Sequence, residues 1–288
     1  MATDTLTQHF CTEYTTNWIA RIQQTTSRLD PFIDSETVMG ERKRYDRVSS
    51  RSSRKRTERK GPTIATNSEM DSRWAYHASY EDPFILDRDD AANLAPLALP
   101  DSALIQQSTN AFHRDCDDVA VETALGAVIT GENGTTSTAF GAGQQIAAGG
   151  TGLTIAKLIQ VQEIWNTADV DPDVPRVIVV GAKQITNMLN TLEVRSADYN
   201  EVRALVNGKI NTFMGFTFVI NNRLTKVSTT RSCVAWTKGA IKQIRSTVTV
   251  DVGKRLDLSL ATQIYSYWKL GGVRVHDEAV VQIDCIES

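Results

Sequence analysis

The chain has 288 residues with 31 basic and 34 acidic side chains, a formal net charge of -3, 41% apolar residues and 23% charged ones. These fractions describe a chain that buries a core and exclude an intrinsically disordered one, and the length allows one or two domains. No apolar run approaches the ~18 residues of a membrane-spanning helix and residues 1–30 lack the apolar stretch of a secretory signal, so no membrane partner and synthesis in a cytosol-like compartment are expected.

From Thr3 to about Leu29, the side chains Leu6, Phe10, Tyr14, Trp18 and Ile22 recur at every fourth residue and draw one narrow apolar stripe on a helix. So narrow a stripe supplies little core of its own, which predicts a helix that docks on something else. Asp30-Pro31 ends it, because proline disfavours helix at the preceding residue. Between Arg42 and Lys60, ten basic residues (Arg42, Lys43, Arg44, Arg47, Arg51, Arg54, Lys55, Arg56, Arg59, Lys60) meet two acids, Asp46 and Glu58; the local net is +8 and the rest of the chain carries -11. A basic strip on an acidic body needs a partner. Nucleic-acid phosphates, solvent or a receptor around a tether, and the acidic surface of another copy all fit that requirement. Beyond the strip, from Arg73 to Tyr80, the aromatics Trp74, Tyr76 and Tyr80 fall on even positions, which predicts a strand with one apolar face. With Arg42 to Ser49 facing it, the segment reads as a long hairpin with a basic tip. A two-stranded hairpin is marginal alone, so it is expected to lie on another surface.

Asp101 is the expected N-cap of a long helix carrying Leu104, Ala111, Phe112, Cys116, Val119, Ala120 and Ala124 along one side and closed by Gly126. Its other side holds Arg114, Asp117, Asp118 and Glu122. The cluster Asp115, Asp117 and Asp118 suggests a divalent metal, but on a helix 117 and 118 diverge by about 100 degrees, so a solvated or ion-paired face is the simpler expectation. The stretch Gly126 to Gly152, with Gly149-Gly150-Thr151-Gly152, resembles a phosphate cradle. It lacks a following GKS or GKT and a dinucleotide fingerprint, so a flexible connector is expected there. The remainder alternates: helix Thr154–Asn166, strand Arg176–Val180, helix Lys183–Leu192 and a further helix from Ser196 to Gly208. Strands follow at Phe216–Ile220, Ser232–Trp236 and Thr247–Val252, then two long ones at Leu258–Leu270 and Val273–Cys285 interrupted at Gly271-Gly272 by a bend or bulge. The pattern is α+β, without a doubly wound rhythm.

Chemistry-bearing motifs are sparse. Cys11, Cys116, Cys233 and Cys285 form no close pair, which argues against a disulfide framework or a zinc site. His113 and Cys116, three apart, read as ordinary helix side chains. No GxSxG or HExxH occurs, and His9, His77, His113 and His276 are scattered. No catalytic residue, metal site or cofactor is expected.

The order of parts, an N-terminal arm, an extended hairpin, a long helix, a compact mixed unit and returning long strands, resembles the major capsid protein of tailed bacteriophages, the Hong Kong 97 type fold. Motifs similar to those of one branch are Gly149-Gly150-Thr151-Gly152-Leu153-Thr154, Ser196-Ala197-Asp198-Tyr199-Asn200, Ala204-Leu205-Val206-Asn207-Gly208, Phe213-Met214-Gly215-Phe216, Asn221-Asn222-Arg223-Leu224 and Ala261-Thr262-Gln263. The resemblance implies an N-arm (residues 1–39), an E-loop (40–86), a P-domain (87–153) with spine helix 101–125, a mixed α/β A-domain (154–252) and C-terminal P-domain strands (253–288). It implies a structural, non-enzymatic protein that self-assembles through pentamers and hexamers into an icosahedral head, made in the bacterial host cytoplasm and resident in the virion. A portal, scaffold or decoration proteins and non-specifically held double-stranded DNA are the further partners it implies. Inter-subunit contacts are then expected from the E-loop (the ten basic residues with Trp74 and Tyr76) and from the arm (Leu6, Phe10, Tyr14, Trp18, Ile22). No motif identifies a cross-linking Lys and Asn pair. A shell built from heterologous contacts needs such thin elements reaching across neighbours. The alternative is a nucleic-acid-binding protein that uses residues 42–60 directly.

Overall fold

The computed structural model describes residues 23–37, 40–51, 53–59, 67–86, 103–190 and 212–287. The stripe residues Leu6, Phe10, Tyr14, Trp18 and Ile22, the strip's last member Lys60, the N-cap expected at Asp101 and the helix expected from Ser196 lie outside the described residues. Residues 23–29 are not helical, so the helix expected to run to about Leu29 does not reach this far. The backbone N–H groups of Arg28 and Leu29 each donate to the Asp117 carboxylate at 3.2 Å, which gives this segment bonds outside any helix of its own.

After a short turn at Asp30–Phe32 comes β1 (Asp34–Thr37). The hairpin of β2 (Arg42–Val48) and β3 (Met70–Leu86) pairs antiparallel from Arg42 opposite Tyr76 to Val48 opposite Met70, and β3 extends beyond the alternating stretch at both ends. The long helix follows as α1 (Ala103–Leu125). The glycine-rich stretch is not a plain connector: it contains β4 (Val128–Thr130), β5 (Thr136–Thr138) and β6 (Gln145–Ile146). Thr154 caps α2 (Ile155–Thr167) by accepting from the N–H of Lys157, and β7 (Arg176–Val180) and α3 (Ala182–Leu189) follow. The remaining strands are β8 (Thr212–Phe213), β9 (Phe216–Ile220), β10 (Lys226–Val227), β11 (Thr230–Thr237), β12 (Ile241–Arg245), β13 (Thr249–Arg255), β14 (Ala261–Arg274) and β15 (Val280–Ile286).

These strands form two sheets. The first, of eight strands, runs β1-β12-β14-β3-β4-β5, with β13 on β14 and β2 on β3; the second, of seven, runs β6-β15-β11-β7-β9-β8, with β10 on β11. The division expected at residue 252 differs from this pairing, because β12 and β13 belong to the first sheet while β15 sits inside the second. The β11–β15 ladder joins Thr230 to Ile286 and so on to Trp236 with Val280, a pairing that local patterning does not encode.

The largest core packs around the second sheet. All five residues of β7 are buried, as a continuous apolar run requires, and Leu158, Val161 and Trp165 of α2 join them. Helix α1 serves two cores: Ala120, Val121 and Ala124 belong to this one, while Cys116 and Val119 pack on Trp268 and Leu270 of β14. Strand β14 runs straight through Gly271-Gly272, where a bend or bulge was expected. The glycines permit close approach instead: a Cβ on Gly271 would lie 1.9 Å from the Tyr76 carbonyl oxygen, and one on Gly272 2.5 Å from Thr123 Oγ1. Gly271→Ala should therefore force β14 off β3 and cost about 2 kcal/mol, measured as a lower urea midpoint at unchanged slope.

Candidate inter-subunit surfaces

The basic strip divides into a stem and a tip. In the stem, Lys43 bonds Glu36 of β1, which also receives Lys242 of β12 at 3.4 Å and the Tyr45 hydroxyl at 3.3 Å. The Lys43 hydrogen bond first, against some desolvation, and then the charges of Lys43 and Lys242 hold the Glu36 carboxyl below its ordinary range. Arg44 pairs with Asp46 at 2.5 Å, and Arg42 lies over the Trp74 ring, 4.6 Å from its centre. Trp74 in turn donates its indole N–H to the Gly131 carbonyl at 2.8 Å within the same chain. Tyr76 is 40% exposed.

At the tip the pattern reverses. Arg51, Arg54, Lys55, Arg56 and Arg59 are all exposed, and among the described residues no acid forms an ion pair with any of them. Arg56 donates to the backbone carbonyl of Glu58 at 2.9 Å, which leaves the acidic side chain uninvolved.

The hairpin is rooted by a chain of guanidinium–carboxylate contacts that the sequence reading missed. Arg47 pairs with Asp71 at 3.1 Å and reaches the Val275 carbonyl and Glu278. Arg73, 2% exposed, grips Asp277 with two bonds of 3.0 and 2.6 Å and also donates to the Arg274 carbonyl. Arg274, fully buried, pairs with Asp277 at 2.6 Å and donates to the carbonyls of Ala124 and Gly126 at 2.7 and 2.8 Å. The last carbonyls of α1 thus receive their cation from a strand 150 residues away. No basic residue stands in the last turn of α1 to signal this.

Residues 23–29 are held with similar care. Asp117, expected on a solvated or ion-paired face, is 1% exposed and accepts from Gln24, from Ser27 Oγ at 2.6 Å and from the two backbone N–H groups of Arg28 and Leu29. Asp118 does lie in an ion pair, with Arg223 at 2.8 Å, and Arg114 bonds Gln23 at 2.6 Å. Burial first, then the Asp118 charge, pushes the Asp115 carboxyl up.

The glycine loop that resembled a phosphate cradle is turned the other way. Its carbonyls, not its N–H groups, converge, and they converge on Lys157: Nζ donates to Ala148, Thr151, Gly152 and Asp284 carbonyl oxygens at 2.9, 3.1, 3.0 and 2.8 Å. The positive φ of Gly149 (56°) and Gly150 (73°) lets the loop fold over that ammonium. An anion would meet a ring of carbonyl dipoles here. Among the described residues no group of three or more His, Cys, Asp or Glu is placed to hold a metal ion.

The described residues form two sheets with a long hairpin clamped at its root, and among them no acid pairs with the cations at its tip. Residues 6–287 match the family model described as phage capsid protein, and the chain belongs to that family. It is a structural major capsid protein, a component of the virion shell. Among solved structures, a chain of Mycobacterium phage Che8 is 18% identical with a TM-score of 0.70, covering 95% of this chain and 97% of that one. The capsid of Ralstonia phage GP4 is 11% identical (TM-score 0.70; 96% and 95% covered), and the cyanophage Pam1 capsid asymmetric unit is 12% identical (TM-score 0.68; 99% and 99%). At such identities the likeness is one of fold. No curated protein sequence matches the chain. The family is a structural one, and it lends no support to the nucleic-acid-binding alternative.

Proposed function

We propose that the chain builds its shell by laying the N-terminal arm and the basic hairpin tip on neighbouring copies. On this reading residues 1–39 are the arm, 40–86 the E-loop, 87–153 and 253–288 the P-domain with its spine helix, and 154–252 the A-domain. By the same reading β12 and β13, paired in the first sheet, are taken with the P-domain, and β15, paired in the second, with the A-domain.

The division of the strip into stem and tip carries the reading. Stem cations are engaged with their own subunit, whereas five exposed tip cations form no ion pair with an acid among the described residues. The acidic complement is available on another copy, since the rest of the chain carries -11. Each exposed pair is worth only about 0–1 kcal/mol, but contacts repeated around a closed ring add through effective concentration. Pentamers and hexamers of the chain are the assemblies proposed, with a portal, scaffold or decoration proteins and packaged double-stranded DNA as further partners and synthesis in the host cytoplasm.

Charge reversal of Arg54, Lys55 and Arg56 to Glu should abolish particles in electron micrographs while leaving the melting temperature of the chain unchanged. Normal particle numbers from that variant would remove the tip from the lateral contacts. If the variant assembles normally yet loses a steeply salt-dependent retention of DNA on filters, the tip serves the packaged nucleic acid instead.

A further inference from the structure

We infer that Cys233 and Cys285 are an oxidisable pair that closes to a disulfide within one chain and locks β15 onto β11. They stand 52 positions apart in sequence, and only the fold brings them together. The β11–β15 ladder sets Arg231 opposite Cys285 and Cys233 opposite Ile283, so the two cysteines are diagonal neighbours on one face of the strand pair. Diagonal neighbours on twisted antiparallel strands come within side-chain reach of each other. Both residues are fully buried, and their thiols are in hydrogen-bond contact, with Cys233 donating to Cys285. The backbone N–H of Gly181 is also bonded to the Cys233 sulfur.

Their surroundings set these two apart from an ordinary buried cysteine. A thiol reacts as its thiolate, and hydrogen-bond donors or cations beside the sulfur favour that form. The bond from Cys233 first, against burial and with the charge of Lys157, lowers the Cys285 thiol, whereas Cys233, as the donor and by its burial, is raised. Lys157 is fixed beside Cys285 by its bond of 2.8 Å to the Asp284 carbonyl. Cys116 gives the contrast: fully buried in α1, its thiol is pushed up to about 12, chiefly by burial. The oxidant that suits so enclosed a pair is hydrogen peroxide, a molecule little larger than water. The Cys285 thiolate attacks one peroxide oxygen, hydroxide leaves, and Cys285 becomes a sulfenic acid. The Cys233 sulfur then attacks the Cys285 sulfur, and the hydroxyl leaves as water with the Cys233 proton. In all, two thiols lose two electrons and two protons, and one peroxide is reduced to two waters.

The bond would close a ring that crosses the whole body. From Cys233 on β11 the chain passes through β12, β13 and β14, all in the first sheet, before β15 returns it to the second at Cys285. One covalent link therefore ties the two sheets together, and a closed loop of about 50 residues takes substantial freedom from the unfolded chain. A glutathione-rich interior keeps such a pair reduced, whereas a virion shell outside a cell meets no such pool and retains the bond once formed. The lock acts within each subunit and is indifferent to which surfaces join the copies.

The test treats the purified full chain, first reduced, with hydrogen peroxide under native conditions. Catalase removes the peroxide, N-ethylmaleimide blocks the remaining thiols in guanidinium, and digested peptides are read by mass spectrometry. A peptide carrying Cys233 should be joined to one carrying Cys285, short of two hydrogens, with Cys116 still alkylated and the chain at monomer size on a non-reducing gel. Alkylated Cys233 and Cys285, a sulfinic acid at either, or a link to a second copy would each overturn the inference. The melting temperature of the oxidised chain should rise by at least about 5 °C and return on reduction with dithiothreitol. A bond that forms without that rise would overturn the lock. Cys285→Ala should abolish the rise, and a rise that survives the substitution would place its cause elsewhere and defeat the assignment. Should that variant fail to fold, the peptide map and reversible rise of the unaltered chain still decide.

Discussion

Lys157→Met is expected to lower the stability of the chain by about 2–4 kcal/mol, the sum of four part-buried carbonyls left without this donor at about 1 kcal/mol each less what relaxation recovers. Methionine preserves the length and apolar stem of the side chain, so the loss isolates the ammonium. Lys157 is 5% exposed, and its ammonium holds four backbone carbonyls, three from the loop at 148–152 and one from Asp284 on β15. Without it the loop closes around four oxygens that repel one another. The tie between the start of α2 and the end of the chain is lost with it. In a chain of this size the change should appear as a fall of roughly 10 °C in melting temperature. Lys183, exposed on α3, is the control, and its replacement should stay within about 0.5 kcal/mol. Equal, small effects at the two lysines would show that the carbonyl ring carries no stability.

Lys157 also marks where reading from sequence stops. The amphipathic pattern of Ile155, Leu158 and Ile159 gives α2 to within a residue, and Phe216–Ile220 is a strand at the bounds its apolar run sets. Local patterns of that kind report one element's own period. The hairpin was legible for the same reason, through Trp74, Tyr76 and Tyr80 on one face of β3. A lysine inside a helix, by contrast, reads as a solvated side chain until a glycine loop is folded over it. Gly271-Gly272 misled because glycine in a strand signals either a bend or close approach, and only the neighbouring strand decides between them. Asp117 misled because its partners, Ser27 to Leu29, lie about 90 residues away. For the contact surface, composition alone located the strip. Its separation into an engaged stem and a bare tip required Glu36, Asp71 and Glu278, which no spacing rule connects to it.

Asp277→Ala is expected to cost about 3–5 kcal/mol, because it removes the shared counter-charge of two buried guanidinium groups, Arg73 and Arg274. Unlike a surface pair, this carboxylate leaves two buried cations behind when it goes. The damage should reach the shell, since Arg73 belongs to the hairpin and Arg274 holds the end of α1. Acid should act on the same joint. Burial raises the Asp277 carboxyl, but hydrogen bonds from Arg73 and Arg274, with their charges, outweigh it and hold the group below its ordinary value. Its contribution is therefore complete above about pH 4, the unfolded value, and is lost as pH falls through the depressed folded value. Next to it, burial first and then the charges of Arg47 and Arg73 lower the His276 imidazole, against the opposing pull of Glu278 and Asp277. A histidine kept neutral in the fold stabilises fully above its unfolded value near 6.5 and progressively less as pH falls below it. Both groups thus weaken the root of the hairpin on acidification, His276 first and Asp277 later, with Arg47, Asp71 and Glu278 facing them throughout. Urea midpoints measured from pH 8 to pH 3 should fall in two stages; His276→Gln should weaken the first, and Asp277→Asn should make the second shallower at a lower starting stability, the rest of that stage coming from carboxyls such as Glu36 that are likewise held below their ordinary range. A pH profile unchanged by either substitution would mean that the joint does not respond to acid, and that the hairpin's hold on the subunit comes from its strand pairing with β14.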